Sequence, residues 1–310
     1  MRVAVIVGPT ATGKTRLGVR VAHELGSEIV SADSRQVYRG LDIGTGKDLD
    51  EYAAVDPPVP YHLIDIADVV EEYTLFRYQQ DCYRVLGRLA AREPFHSGVP
   101  AVMVGGSGLY VEAVIRDYRI PDVPRDPALR ARLQGLDRVE LLDTLRKEAP
   151  DLEGSTDTSN ARRMIRALEL SAAEKRGVVP TSRPPSTELH FMVFGVKAER
   201  AHIRERVGRR LRQRLDEGMI AEVRSLLDQG VPPERLARLG LEYREVTAFL
   251  LGEKDLEQMA RDLENAICAF AKRQQTWFRG MERRGTPIRW IEAHDNAAVA
   301  QALADWMEAG

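Results

Sequence analysis

The sequence predicts an α/β fold with a mostly parallel sheet and an inserted all-helical domain. Two observations predict the sheet. Short apolar runs alternate with amphipathic, helix-length segments through residues 1–118. The first run, Val3 to Val7, opens directly into Gly8-Pro9-Thr10-Ala11-Thr12-Gly13-Lys14-Thr15 and a helix, which is the strand, G-x-x-x-x-G-K-[ST], helix arrangement of a phosphate-binding loop. A third observation predicts the insertion. Between about residues 119 and 186 the strand pattern stops, prolines punctuate the chain and only helical patterns remain.

Each element follows from its own pattern. Val3 to Val7 reads as a short buried strand. Thr15 to Leu25 reads as a helix with Leu17, Val21, Ala22 and Leu25 on one face. Glu28 to Ser31 is the next strand and runs into Ala32-Asp33-Ser34-Arg35-Gln36-Val37-Tyr38. His62 to Ile66 is a further short run, ending near Asp65 and Asp68, and Leu75 to Arg92 is a helix. Pro100 to Val104 is an apolar strand that ends in Gly105-Gly106-Ser107-Gly108, with a helix starting at Leu109. Pro121, Pro124 and Pro127 mark the exit from this core. Helices follow at about Pro127 to Gln134, Arg138 to Lys147 and Asn160 to Lys175, and Pro180, Pro184 and Pro185 close the excursion. Leu189 to Val196 rejoins the sheet. Helices are then predicted over Ala201 to Glu217, Met219 to Gln229, Leu241 to Leu250 and Leu256 to Gln275, before an edge strand at Pro287 to Ile291 and a tail helix. The expected domains are a core of residues 1–118 and 187–310 and an insertion of residues 119–186.

Composition narrows the function. With 310 residues and 44% apolar content, the chain can bury a full α/β core, and it has no apolar stretch of membrane-spanning length. Cys82 and Cys268 lack metal-ligand spacing, which fits a reducing, cytoplasmic setting and argues against a disulfide framework or a zinc site. The net charge of -2 does not advertise nucleic-acid binding, but its distribution does. Arg200 to Arg214 holds seven arginines against one glutamate, and Lys272 to Arg289 holds six cations against one glutamate. Such stretches build either a positive groove or an ordinary solvated helix face.

The loop Gly8 to Thr15 predicts an anion site on physical grounds. Backbone N–H groups around the two glycines form a concavity for oxyanions, and the following helix points its positive end there. Lys14 adds a point charge, and the Thr15 hydroxyl is placed to reach Mg2+. ATP or GTP is the default ligand, yet the usual companion of such a loop, a strand ending in a metal-holding Asp, has only Leu63-Ile64-Asp65 as a candidate. Asp33 follows a buried strand at the same sheet edge. It is a candidate general base, or else a brace for its own turn. Ser107 sits in a second glycine-rich turn, either to orient a ligand or simply to close a tight strand-to-helix turn.

With these segments assembled, the chain resembles the bacterial tRNA dimethylallyltransferase family, also called tRNA isopentenyltransferase. The likeness covers nearly the whole chain. It rests on Gly8 to Thr15, Ser31 to Thr45, His62-Leu63-Ile64-Asp65, Val104 to Tyr110, Arg166-Ala167-Leu168-Glu169 and Ala271 to Phe278. The family pattern is altered at Ser107, where threonine is usual. It is altered again at Asp157-Thr158-Ser159-Asn160, where the family reads His-Pro-Asn-Asp, and around Leu239 to Glu245.

The resemblance implies a P-loop kinase-like core and a helical insertion that grips the anticodon stem-loop of tRNA. It implies transfer of a dimethylallyl group from dimethylallyl diphosphate to N6 of adenosine 37, with pyrophosphate released and no ATP hydrolysed, although the loop's motif is of the ATP-binding kind. Asp33 then corresponds to the catalytic base and Ser107 to its helper. Gly8, Pro9, Thr10, Ala11, Thr12, Gly13, Lys14 and Thr15 hold the diphosphate with Mg2+ on Thr15, and Arg206 and Arg210 are the candidate arginines beside it. Expected tRNA contacts are Asp33, Ser34, Arg35 and Gln36, then Arg162, Arg163 and Arg166 of the insertion, and Lys272, Arg273 and Gln274 near the end. Trp277 and Phe278 are open to core packing or to base stacking. The expected partners are tRNA and the prenyl diphosphate, with no membrane and no obligate protein partner, and the chain is expected to act as a monomer. A small-molecule kinase and a non-catalytic RNA-binding module are the competing readings. Only the proposed activity attaches a dimethylallyl group to RNA without ATP.

Overall fold

The computed structural model describes residues 1–92, 98–123, 125–178, 184–197 and 199–308. Pro124 and Pro180 lie outside the described residues. The chain divides into two compact units, one of Met1–Tyr118 with Pro184–Gly310, the other of Arg119–Arg183.

The first unit is built on strands β1 (Arg2–Val7), β2 (Glu28–Ser31), β3 (Tyr61–His62), β4 (Ala101–Gly105), β5 (His190–Val196) and β6 (Ile288–Ile291). They form one sheet in the order β3-β2-β4-β1-β5-β6, and all its neighbouring pairs are parallel. Both faces are covered, which is why the strands read as continuous apolar runs. Alternate side chains of β1 go to opposite faces. Val3, Val5 and Val7 enter one core with helices α3 (Leu75–Ala90) and α4 (Gly108–Ile115) and with the C-terminal helices α9 (Arg200–Asp216), α10 (Met219–Asp228), α11 (Pro233–Leu239), α12 (Leu241–Leu250) and α13 (Leu256–Arg283). Ala4 and Ile6 enter the other with α1 (Lys14–Leu25) and α14 (Asn296–Glu308).

The sheet directs its ends to one place. Because all strands are parallel, the turns after β1, β2 and β4 gather at the same edge, where α/β sheets bind ligands. Val7 pairs in register with Gly105, and Ser31 with Val104, so the three turns start side by side. A Cβ on Gly105 would stand 2.1 Å from the Ala32 carbonyl oxygen. Gly105 is thus the residue that lets β2 and β4 end in backbone contact.

Several sequence expectations are corrected. The run His62 to Ile66 is strand only at its start, because Leu63 and Asp65 adopt positive φ (64° and 57°) and the chain leaves the extended conformation. The last long helix continues past Gln275 to Arg283. Its buried stripe, Met259, Leu263, Ile267, Ala271, Gln274, Phe278 and Met281, keeps helical spacing throughout. Phe278 is fully buried and Trp277 packs against the core, so both serve packing. Short helices α2 (Asp50–Ala53) and α11 were not anticipated.

The second unit holds α5 (Pro127–Gln134), α6 (Arg138–Glu148), α7 (Pro150–Glu153) and α8 (Ala161–Lys175), of which α7 was also not anticipated. Leu133, Leu141, Leu145, Met164, Ile165 and Leu168 form its core. Asp137 and Glu140 make a reciprocal cap on α6. Glu169 is buried and takes two charge-assisted hydrogen bonds from Arg130, at 2.7 and 2.6 Å.

Gly105→Ala tests the strand-end contact. The methyl cannot fit against backbone, so the variant is expected to lose about 1–3 kcal/mol of stability in chemical denaturation. Stability equal to the parent would show that β2 and β4 separate without cost.

Candidate active site

The loop between β1 and α1 is held in its shape from within. Gly13 caps the helix with φ of 86° and Ala11 stands at φ of 61°. Thr12 donates its hydroxyl to the Pro9 carbonyl at 2.8 Å. No side chain caps α1 and its first turn carries no acid. The free N–H groups and the positive end of the dipole therefore face the space beside Lys14. Burial pushes the Lys14 ammonium down to about 8, Asp33 and Asp48 oppose the shift, and Arg210 and Arg214 add to it. Cations so placed attract an anion.

Asp33 and Ser107 come together across the β2–β4 contact. The Ser107 N–H donates to the Ala32 carbonyl at 3.2 Å, and the Ser34 N–H donates to the Ser107 hydroxyl at 3.0 Å. Asp33 accepts the Arg35 N–H on Oδ1 at 2.9 Å, which fixes its carboxylate in the turn. Asp33 also acts electrostatically on Lys14. The site thus pairs an anion-attracting loop with a carboxylate held beside a hydroxyl.

Gln274 binds these parts into one piece. Its carboxamide oxygen accepts the Thr10 N–H at 2.8 Å, and its nitrogen donates to the Gly106 carbonyl at 2.9 Å. The residue is 6% exposed. Both ends of the amide are engaged by the two glycine turns. Gln36 is likewise engaged, donating to the Gly46 carbonyl at 2.9 Å and accepting from Ser31 at 3.2 Å. Ser34, too, is tied through its N–H to Ser107. The side chain of Arg35 makes no hydrogen bond or ion pair among the described residues. Lys272 and Arg273 are exposed, Arg273 lying over the Phe270 ring at 5.8 Å.

The arginines of α9 differ in their surroundings. Arg206 reaches the Thr12 carbonyl at 3.5 Å and lines a cavity of about 630 Å³ beside Ala11 and Thr12. Arg210 donates to Asp48 at 2.9 Å. Arg214, one turn further, was missed from the sequence. It is 8% exposed, and burial lowers it to about 10, so it stays cationic at neutral pH. The segment these arginines meet is anchored elsewhere. The Glu222 carboxylate accepts the N–H groups of Asp42, Ile43 and Gly44 at 3.0, 2.7 and 3.1 Å and the Tyr243 hydroxyl at 2.6 Å. Lys47, 1% exposed, donates to the Tyr38 carbonyl at 2.9 Å and pairs with Asp42 and Asp65. Asp65 is therefore a structural partner of Lys47. No signal in one sequence links Glu222 or Gln274 to loops that far away.

In the second unit, Arg163 pairs with Asp157 at 2.9 Å, and Arg166 donates to the Val123 carbonyl at 3.0 Å. Arg163 is exposed and Arg166 half-buried. Arg162 is exposed and lends only its backbone N–H, to the Asn160 cap at 3.1 Å.

Among the described residues no group of three His, Cys, Asp or Glu could hold a metal ion. Mg2+ commonly keeps water and phosphate oxygens and takes one or two protein ligands. The Thr15 hydroxyl, partly exposed in the first turn of α1 and making no hydrogen bond among the described residues, fits that mode.

Fold and site together define an α/β protein with a cationic, glycine-rich sheet edge beside a carboxylate. The chain belongs to the IPP transferase family, whose model matches residues 36–281, and the model of isopentenyl transferases matches residues 1–54. It is 47% identical over 288 residues to tRNA dimethylallyltransferase 1 of Porphyromonas gingivalis, covering 93% of each chain. It is 46% identical to tRNA dimethylallyltransferase 2 of Syntrophotalea carbinolica, again over 93% of both. Among solved structures, the full-length tRNA isopentenylpyrophosphate transferase of Bacillus halodurans is 31% identical, with a TM-score of 0.70 over 99% of this chain and 97% of that one.

Two measurements test the site. Lys14 attracts an anion only while protonated, and its value of about 8 is lowered, so affinity for inorganic pyrophosphate should fall as pH rises through about 8. Calorimetric titration from pH 7 upwards should show this fall in the parent and a flatter profile in Lys14→Met; identical profiles would remove Lys14 from the anion site. Gln274→Leu leaves the Thr10 N–H and Gly106 carbonyl without partners. It should cost about 1–3 kcal/mol of stability and weaken pyrophosphate binding, while leaving affinity for an anticodon stem-loop unchanged. Selective loss of RNA affinity would point to the RNA-facing role.

Proposed function

We infer that this chain is a tRNA dimethylallyltransferase. It moves the dimethylallyl group of dimethylallyl diphosphate to N6 of adenosine 37, beside the anticodon, and releases pyrophosphate. The observation that carries this reading is the braced triangle of the Gly8–Gly13 loop, Asp33 and Ser107, in a chain that matches curated dimethylallyltransferases along almost its full length. No helix among the described residues is long and apolar enough to cross a membrane, and the tRNA substrate points to the cytoplasm.

The core is a P-loop kinase-like core turned to an isoprenoid. The loop residues Gly8 to Thr15 cradle the diphosphate, with Arg206 and Arg210 beside them. The Thr15 hydroxyl would hold Mg2+, which would supply positive charge to the diphosphate. The adenine amine is a poor nucleophile because its lone pair is delocalised into the ring. Asp33 accepts a hydrogen bond from N6–H, and Ser107 orients the same amine. The N6 lone pair forms the new bond to the allylic carbon as the carbon–oxygen bond to the diphosphate breaks. The N6 proton passes to the Asp33 carboxylate, and the bonding electrons leave with pyrophosphate. Lys14 and the loop N–H groups act where negative charge grows, on the leaving group.

The target base must leave its stack to reach Asp33. Ser34, Arg35 and Gln36 wall the place it enters, with Ser34 and Gln36 fixed by their own hydrogen bonds. In unit Arg119–Arg183, Arg162, Arg163 and Arg166 are the arginines offered to tRNA phosphate. Lys272 and Arg273 extend the basic surface of the core.

Incubation with Mg2+, unmodified tRNA and dimethylallyl diphosphate should give a dimethylallyl adduct on adenosine by mass spectrometry of nucleosides. A product that requires ATP, or that appears without the prenyl donor, would refute the reading. Asp33→Ala should slow single-turnover transfer about 10²- to 10⁴-fold, and a rate within twofold of the parent would exclude Asp33 as the base.

A further inference from the structure

Arg214 carries a buried donor without a hydrogen bond. Its Nη2 has neither solvent nor a hydrogen-bond partner, and its Nη1 reaches only the Gly44 carbonyl, at 3.5 Å. A buried, unpaired guanidinium N–H is costly, on the order of 1–3 kcal/mol. Such an atom calls for a partner in some state of the protein.

One acceptor stands within reach. Asp48 donates nothing and accepts from Arg210 Nη2 at 2.9 Å, while its other carboxylate oxygen lies 3.8 Å from Arg214 Nη2. The two arginine heads converge on Gly46: a Cβ there would stand 1.4 Å from Arg214 Nη2 and 2.2 Å from Arg210 Nη2. With φ of 61° and no side chain, Gly46 leaves room for both heads beside Asp48. Asp48 itself is a non-glycine residue at φ of 47°. Arg210, Arg214 and Glu242 also line a small cavity with Thr10 and Ala11 of the anion-binding loop. The charges of Arg210, Arg214 and Asp48 all act on Lys14. The segment's backbone meanwhile is fixed by Glu222 and Lys47, so a shift of one carboxylate from one arginine to the next requires no rearrangement of the fold.

We propose that Asp48 and Arg214 are positioning residues that govern Arg210: Asp48 holds Arg210 beside the loop in the empty site, and when a diphosphate takes Arg210, Asp48 moves to the unpartnered Nη2 of Arg214. The exchange is anion for anion on Arg210. It lets a partly buried arginine wait at the site without an unpaired charge, and it gives the displaced carboxylate a cation in the occupied state. The inference rests on the reading of Arg210 as a diphosphate-binding arginine.

The test is a set of binding cycles with inorganic pyrophosphate as probe, followed by calorimetry in Mg2+ buffer. Arg210→Ala should weaken binding; unchanged binding would overturn the reading of Arg210 and the exchange with it. Asp48→Ala should tighten binding about two- to fivefold, the range set by a partly exposed ion pair, and should lower KM for dimethylallyl diphosphate without moving KM for tRNA. In the Arg210→Ala background that gain should vanish. Equal gains in both backgrounds, or no gain in either, would overturn the exchange while leaving the reading of Arg210 intact. Both substitutions alter partly exposed side chains, so these outcomes do not depend on a core variant folding. Arg214→Leu should weaken binding about tenfold, Arg214→Lys should recover part of it, and in the Asp48→Ala background Arg214→Leu should have no further effect. The same loss in both backgrounds would assign Arg214 to packing alone.

Discussion

The carboxamide of Gln274 joins two glycine turns that leave the sheet on neighbouring strands, one through the Thr10 N–H and one through the Gly106 carbonyl. Much of the site's geometry depends on that bridge. The turn after β4 carries Ser107, Ser107 holds Ser34, and Ser34 adjoins Asp33. A displacement of α13 by one side chain would therefore pass from the loop to the carboxylate. Gln274 is buried, and in a low-dielectric setting a satisfied polar link is rigid while a broken one is costly.

Electrostatics gives the edge its second constraint. Burial lowers the proton affinity of Lys14 and Arg214, Arg210 and Arg214 lower that of Lys14 further, and Arg210 lowers that of Arg214. Such a cluster is tolerated because Asp33 and Asp48 oppose it. Glu242, whose carboxyl is raised by burial, is drawn back by Arg214 and Arg210. A dianionic or trianionic ligand relieves the same repulsion, so the charge excess that would trouble an ordinary core is suited to binding diphosphate.

The second unit uses its arginines differently. Arg130 and Arg166 are turned inward on Glu169 and on a backbone carbonyl, and Arg163 closes the turn at Asp157. Guanidinium groups are effective there because their planar donors satisfy a carboxylate on two sides at once.

The sequence by itself determined the alternation of strands and helices, the parallel sheet with its ligand edge, and the residues Lys14, Asp33 and Ser107 at that edge. These are legible because apolar periodicity, glycine spacing and residue type are local properties of the chain. What only the tertiary structure decided is which side chains remain available. Gln274 and Gln36 read in the sequence only as tRNA contacts, and the structure shows the hydrogen bonds by which they brace neighbouring turns, while Asp65 looks like a metal ligand and serves Lys47. Arg214 reads as one basic residue among many and is a buried donor beside Asp48. In each case the partner lies far away along the chain. Packing of α9 and α13 against the strand-end turns brings the two together, and no local pattern encodes that proximity.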